Sequence, residues 1–260
     1  MAETPPPPRW NDAARRWDEF RRAAKLLTRL PLGPVSDLPL AEASWSFALI
    51  GVVVGLLGGL GYALAAWIGL PKLAAALIAL LVAALVSGGL HEDGLADTVD
   101  GFCGGADRDT KLAIMRDSRI GSFGALALIF SVGLRVAALA AIGQGGRVTA
   151  ALVAAHAVGR GFLPLALRGL EPARSDGLGA AAGRPEPGIA WGAAGIAAVV
   201  ALFALDFIPG LAALGAAAVA MALAASMARR ELGGHTGDVL GAMEQVGETV
   251  MLLVAASWLS

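Results

Sequence analysis

Uncharged stretches long enough to cross a bilayer recur along this chain, separated by glycine, proline and short charged segments. The clearest runs from Phe47 to Leu70, 24 residues without a charge, about 36 Å as a helix against a hydrocarbon core of roughly 30 Å. Others follow at Leu73 to Leu90, Gly121 to Ile142, Val148 to Leu167, Gly188 to Leu205 and Phe207 to Ala228, with a weaker seventh at Val246 to Leu259. Pro71, Gly145-Gly146 and Pro209-Gly210 punctuate them, as helix breakers do. No stretch is left for a soluble domain of useful size, and no internal repeat or inverted half is visible. The pattern predicts an all-α, polytopic integral membrane bundle of six to seven transmembrane helices, one domain over residues 1–260. Its chemistry is expected in the segments 88–122, 168–188 and 229–248.

Two local patterns refine this picture. Gly51, Gly55 and Gly59 recur every four residues, a stripe that lets two helix backbones approach closely in lipid. Trp10 to Leu30 mixes Trp10, Trp17, Phe20, Leu26 and Leu27 with basic residues, which predicts an amphipathic helix lying on the membrane surface within residues 1–45.

Composition agrees with a bilayer protein: 57% of residues are hydrophobic and 16% charged, where soluble domains carry about 25% charge. The net charge of −1 offers no footprint for nucleic acid. Cys103 is the only cysteine, which excludes an intrachain disulfide. The N-terminal segment has no apolar core ahead of a small-residue cleavage site, so it does not read as a secretory signal. The distribution of charge is more telling than its sum. With the N-terminus inside and seven spans threaded, the inner segments hold sixteen Lys and Arg, from Arg9 to Arg230, and the outer loops only Lys72 and Arg147. Cytoplasmic segments carry that excess. The N-terminus and the polar segments are therefore expected on the cytoplasmic side.

One of those segments is acidic. "GGLHEDGLADTVDG", Gly88 to Gly101, places Glu92, Asp93, Asp97 and Asp100 within nine positions. On a helix Asp93, Asp97 and Asp100 fall at about 0°, 40° and −20° around the axis, on one face, with Glu92 pointing elsewhere and His91 roughly opposite. Like charges so placed repel. A hard divalent cation such as Mg²⁺, which takes carboxylate oxygens together with substrate phosphates, offsets that repulsion; a merely solvated acidic loop explains the charge but not the shared face.

Downstream, "DRDTKLAIMRDSRIGSFG" supplies Arg108, Lys111, Arg116 and Arg119, then a turn through Ser118, Gly121 and Ser122 that follows Asp117. Arginine's planar fork suits phosphate oxygens, and a carboxylate cluster followed by a basic cluster is what phosphoryl transfer needs. The positive-inside bias alone also accounts for part of these cations. A third stretch, "ELGGHTGDVLGAMEQVGE", offers Gly233, Gly234, His235, Thr236, Gly237 and Asp238, with Glu244 and Glu248 one turn apart; glycines at a helix start let backbone N–H groups approach an anion. Within the spans, Arg135, His156 and Arg160 either tether neighbouring carboxylates or reach an anionic substrate from below.

These motifs, with "LLTRLPL" near the N-terminus and "GRGF" at Gly159 to Phe162, closely resemble the cobalamin synthase family, the adenosylcobinamide-GDP ribazoletransferases, from about Leu26 to Glu248. Glu92 and Gly159 depart from the residues usual there. The resemblance implies a multi-pass inner-membrane enzyme. It joins the cobinamide phosphate of adenosylcobinamide-GDP to a ribose hydroxyl of α-ribazole or its 5′-phosphate, with Mg²⁺, releasing GMP. Asp93, Asp97 and Asp100 are then the metal ligands, with one of them or Asp238 as general base. Arg108, Arg116, Asp117, Ser118, Arg119, Gly121, Arg160, Gly234, Thr236 and Gly237 are the candidate substrate-binding residues. Homo-oligomers, or association with other cobalamin-assembly enzymes, fit a membrane enzyme of this kind. Two rivals stay open. "DTVDG", Asp97 to Gly101, is the DxxDG opening of the CDP-alcohol phosphotransferase motif, although that motif's continuation is absent. A transporter would also bury Arg135, His156 and Arg160, but would show symmetry-related halves.

Overall fold

The computed structural model describes residues 12–35 and 37–260, and the described chain is helical, with one isolated bridge between Pro172 and His235 in place of any strand. Trp10 of the amphipathic segment, and Arg9 before it, lie outside the described residues. The first helix, α1 (Ala13–Leu27), starts where the Asp12 carboxylate accepts from the Ala14 and Arg15 N–H groups, the usual service of an aspartate N-cap. A short α2 (Leu40–Ala43) and a 3₁₀ turn (Ser44–Ser46) lead into α3 (Phe47–Trp67), which turns back through Gly69 into α4 (Lys72–Ser87).

Gly88 and Gly89 both take left-handed backbone angles, φ +70° and +69°. Glycine alone adopts these without steric cost, and two in succession swing the chain by 92° into α5 (Leu90–Gly104). The run expected to span through Leu90 therefore stops at Ser87, and the acidic stretch forms its own helix across the end of the bundle. Then come α6 (Arg108–Ile114), α7 (Ser122–Ile142) and α8 (Gly145–Gly161). A break at Phe162, ahead of Pro164, separates α9 (Leu163–Gly169). After these lie α10 (Gly177–Ala182), α11 (Pro187–Ala204), α12 (Phe207–Leu232) and α13 (Gly237–Leu259). Among the described residues, six stretches are long and apolar enough to cross a membrane, or seven where the bent pair α4 and α5 is taken as one span. Where a loop is expected over 229–248, only 233–236 is non-helical; the seventh span is the 23-residue α13, not a short one beginning at Val246.

The glycine stripe of α3 faces α8. A Cβ on Gly51 would overlap the His156 carbonyl, one on Gly55 would lie 2.6 Å from Val153 Cα, and one on Gly59 would strike the Thr149 side chain. Outward-facing residues such as Leu60, Leu81, Phe130 and Leu223 are exposed, as lipid-facing surfaces are. Gly55→Val should accordingly keep α3 from seating on α8. Overpacking of this kind costs about 1–3 kcal/mol where the backbone can yield, and more here because the obstacle is backbone. In detergent the variant is expected to lose its cooperative thermal transition, whereas Gly133→Val, with open space around it, keeps it. Equal transitions in the two variants would contradict the packing role.

Helix α1 docks differently from a surface float. Glu19, Ala23, Ala24 and Leu27 are buried, and Glu19 accepts from Trp45 Nε1 at 2.7 Å and from Arg16 at 2.6 Å. Trp17, stacked on Phe20, stays 56% exposed. One edge of the amphipathic helix thus faces the surroundings while Leu26 and Leu27 turn into the bundle.

Candidate functional site

On α5 the three aspartates share a face, and along it they pass from exposed Asp93 through half-buried Asp97 to Asp100, 8% exposed. Asp100 is held by the start of α7: Gly121 N donates to one carboxylate oxygen at 2.7 Å and Gly124 N to the other at 2.8 Å. Both glycines are required, because a Cβ on either would strike the carboxylate. The N–H expected to receive substrate at Gly121 is thus engaged by an internal anion, at the helix N-terminus where anions are favoured. Ser118 is exposed in the same turn.

The fourth acid comes from α13. A Cβ on Gly94 would stand 2.7 Å from the Asp238 carbonyl oxygen and 3.2 Å from Gly241 Cα, so glycines at 94 and 241 let α5 and α13 touch backbone to backbone. That contact brings Asp238 beside Asp93. Thr236 caps α13, accepting from Val239 N at 3.2 Å and donating to Asp238 Oδ2 at 3.2 Å. Arg174 Nη2 donates to the same oxygen at 3.4 Å. The charges of Asp93, Asp238 and Asp100 all bear on Asp97, and Arg174 is the cation opposing them. Negative charge exceeds positive in this cluster. Arg174 belongs to none of the three sequence motifs; the proximity of 170–176 to Asp238 depends on tertiary contact that no motif announces.

Of the glycines that open the third stretch, Gly233 caps α12 in the left-handed conformation, φ +75°, and Gly234 serves close packing. A Cβ on Gly234 would run into the Glu171 carbonyl, which accepts from His235 N at 2.9 Å, while Ala173 N donates to the His235 carbonyl at 2.8 Å. Gly237 begins α13 beside Gly179 of α10. Burial pushes the His235 imidazole below its ordinary pKa, so it is neutral at pH 7.

Behind Asp93 and Asp238 lies a cavity of about 350 Å³, walled largely by Leu26, Leu27, Phe47, Leu163, Leu167 and Leu240 and bordered by Arg174. The hydrophobic pair expected to face lipid from the amphipathic helix lines this cavity instead.

The downstream cations are spread over several tasks. Arg108 braces the loops: Nε donates to the Leu232 carbonyl at 2.9 Å and Nη2 to the Ala173 carbonyl. Lys111 pairs with Glu231. Arg116 reaches across to Asp176 at 2.8 Å. Arg119 donates to Asp117 from Nε at 3.0 Å, and this bond holds the Asp117 carboxyl down to about 2. The Arg116 and Arg119 pairs are exposed, and exposed ion pairs are weak, so both guanidinium groups can exchange their carboxylates for phosphate.

Deeper in the bundle, Arg135, His156 and Arg160 meet the carboxylates of Glu92, Glu244 and Glu248. Arg160, 1% exposed, pairs with Glu244 and lies 2.7 Å from Glu248 Oε1; its Nη2 is 3.2 Å from His91 Nδ1. His156 Nδ1 contacts Glu248, and Arg135 reaches Glu248 at 3.2 Å and Glu92 at 3.7 Å. Of the two readings for Arg135, His156 and Arg160, the tether is the one these partners favour. Among the described residues, His156, Glu244 and Glu248 are the group whose ligand atoms converge within 4.8 Å, but the Arg160 guanidinium already supplies their cation. The α5 aspartates do not converge so closely. They offer hard oxygen donors in a region of excess negative charge, which is the donor set Mg²⁺ takes.

Comparison with known proteins bears on the whole chain. The pattern of the family described as cobalamin-5-phosphate synthase matches residues 19–256. An adenosylcobinamide-GDP ribazoletransferase of Bradyrhizobium diazoefficiens is 47% identical over 245 residues, 92% of this chain and 94% of the relative. Proteins of the same name from Sinorhizobium medicae and Mesorhizobium japonicum are each 42% identical, covering 91% and 94% of this chain and 95% and 94% of theirs. No solved structure matches. The family match runs through α5, the turn before α13 and the spans between them, and the chain belongs to the cobalamin-5-phosphate synthase family.

Proposed function

We infer that this multi-pass membrane protein is an adenosylcobinamide-GDP ribazoletransferase acting late in cobalamin biosynthesis. The observation that carries the reading, beside the relatives, is the acidic cluster of Asp93, Asp97, Asp100 and Asp238 assembled from two helices with exchangeable arginines nearby. In the reaction a ribose hydroxyl oxygen of α-ribazole, or of its 5′-phosphate, bonds to the phosphorus that carries cobinamide. The bond from that phosphorus to the bridging oxygen breaks, and GMP leaves with the oxygen. Asp238, on the cavity wall, takes the hydroxyl proton. Arg116 and Arg119 bind phosphoryl oxygens, and Arg174 steadies Asp238. Asp93, Asp97 and Asp100 would hold Mg²⁺ against the diphosphate, with Asp100 pre-set by the α7 N-terminus. The ion would supply charge neutralisation worth several kcal/mol. Arg160 acts from behind, orienting α5 through His91. The sixteen-to-two bias of Lys and Arg supports an inner-membrane location with this end of the bundle cytoplasmic.

Reconstituted in liposomes with adenosylcobinamide-GDP, α-ribazole and Mg²⁺, the protein is expected to release GMP. Chelation should stop the release and added Mg²⁺ restore it. Substrate uptake into the vesicles without GMP would favour a transporter and overturn the reading.

A further inference from the structure

We propose that the apolar cavity behind Asp93 and Asp238 is the seat of the base of the acceptor nucleoside, a bicyclic methylated benzimidazole, with its ribose at the Asp238 end. The proposal rests on the ribazoletransferase reading and adds which substrate occupies which part of the protein.

Size and polarity make the choice. The cavity measures about 350 Å³, at the small end of ligand sites, too small for a corrin macrocycle with its fringe of amides. Guanine is small enough, but it carries hydrogen-bond donors and acceptors on both edges of its ring system; Asp93, Arg174 and Asp238 stand only at the border, and walls of Leu26, Leu27, Phe47, Leu163, Leu167 and Leu240 would leave the inward edge unpaired at a cost. A dimethylbenzimidazole joined to ribose has two methyl groups, a flat apolar face and a single free ring nitrogen. Of the three bodies the reaction brings together, it alone matches these walls.

The polar border of the cavity matches the sugar. Arg174 and Asp238 both line it. Asp238 has one oxygen shared between Thr236 and Arg174, which leaves the other to accept from a ribose hydroxyl. Arg174 Nη1 is buried with no partner in the protein, a donor available to a sugar oxygen. With the base inside, the attacking hydroxyl stands where Asp93 and Asp238 meet, beside the aspartates that would hold Mg²⁺ against the activated diphosphate. The cavity is also closed in part by α1 through Leu26 and Leu27, so the first described helix is part of the acceptor site and not only an anchor.

Steady-state kinetics on the liposome-reconstituted protein test this, varying each substrate at saturating levels of the other and using α-ribazole and its 5′-phosphate in parallel. With the wild-type protein, free 5,6-dimethylbenzimidazole should compete with the acceptor and not with adenosylcobinamide-GDP. An acceptor lacking both methyl groups should show a KM raised about fifteenfold, the effect of two methyls left unburied. Leu167→Phe, which fills the cavity, should raise the KM for α-ribazole at least tenfold and that for the methyl-free acceptor less than threefold, leaving the KM for adenosylcobinamide-GDP within twofold. Competition by the free base against adenosylcobinamide-GDP, or a KM shift confined to that donor, would overturn the assignment. So would normal turnover with unmoved acceptor constants, which would leave the reaction itself standing. Wild-type protein that releases no GMP with either acceptor would overturn the reaction and this proposal together. The inhibition arm uses unaltered protein, so a variant that fails to fold does not blunt the test.

Discussion

Asp97→Asn should reduce GMP release by roughly a thousandfold while leaving the protein inserted, helical and thermally unchanged. The size follows from the proposed metal: several kcal/mol of transition-state stabilisation, at about 1.4 kcal/mol per factor of ten. The position follows from the structure. Asp97 sits midway between exposed Asp93 and Asp100, which is committed to Gly121 and Gly124, and it feels the negative charge of Asp93, Asp238 and Asp100 at once. An amide is nearly the same shape and removes the Asp97 charge that those three oppose, so the apo protein has no reason to be destabilised. The comparison is Asp109→Asn on α6, whose carboxylate is exposed and meets only its neighbour Arg108; its turnover should match wild type. Turnover is read as GMP released from adenosylcobinamide-GDP with α-ribazole, and fold as circular dichroism and thermal transition in detergent. Wild-type-like GMP release by Asp97→Asn would sink the metal-ligand role.

The sequence disclosed the spans and the shared face of the aspartates because both follow from local rules, apolar length and helical period. It was silent on the depth of each aspartate, which depends on what packs over α5. Nothing in DSRIGSFG distinguishes a turn that receives a substrate phosphate from one that receives Asp100, since either anion wants the same N–H groups at the same helix start. Leu26 and Leu27 read as lipid-facing because periodicity shows that a face is apolar, not what covers it. The carboxylates of α13 are the instructive case. Glu244, Gln245 and Glu248 depress the local hydropathy, so that stretch reads as a loop, yet a matching signal was present: His156 and Arg160 are four residues apart, as are Glu244 and Glu248. Two helices with complementary charges at one helical turn are built to pair, and they do.

That pairing carries the second large prediction. Arg160→Leu should lower the thermal transition of the detergent-solubilised protein by on the order of 10 °C. The variant leaves Glu244 and Glu248 facing each other inside the bundle, and removing one partner of a buried ion pair costs about 3–5 kcal/mol, at roughly 2–4 °C per kcal/mol for a chain of this size. The loss comes from the stranded carboxylates more than from the missing bond, so removing charge on both sides should repair it. Arg160→Leu combined with Glu244→Leu is expected to regain at least half of the lost transition temperature, because Arg135 and His156 still attend Glu248. A double variant no more stable than Arg160→Leu would show that Glu244 is not the charge Arg160 balances. Turnover distinguishes the two roles the sequence left open for this arginine. As a tether, it reaches the site through His91, two residues before Asp93, and through α13, which carries Asp238, so the single variant should lose kcat in step with stability and the double variant should recover both. If Arg160→Leu kept its thermal transition but lost affinity for adenosylcobinamide-GDP, the guanidinium would instead be binding the anionic substrate directly.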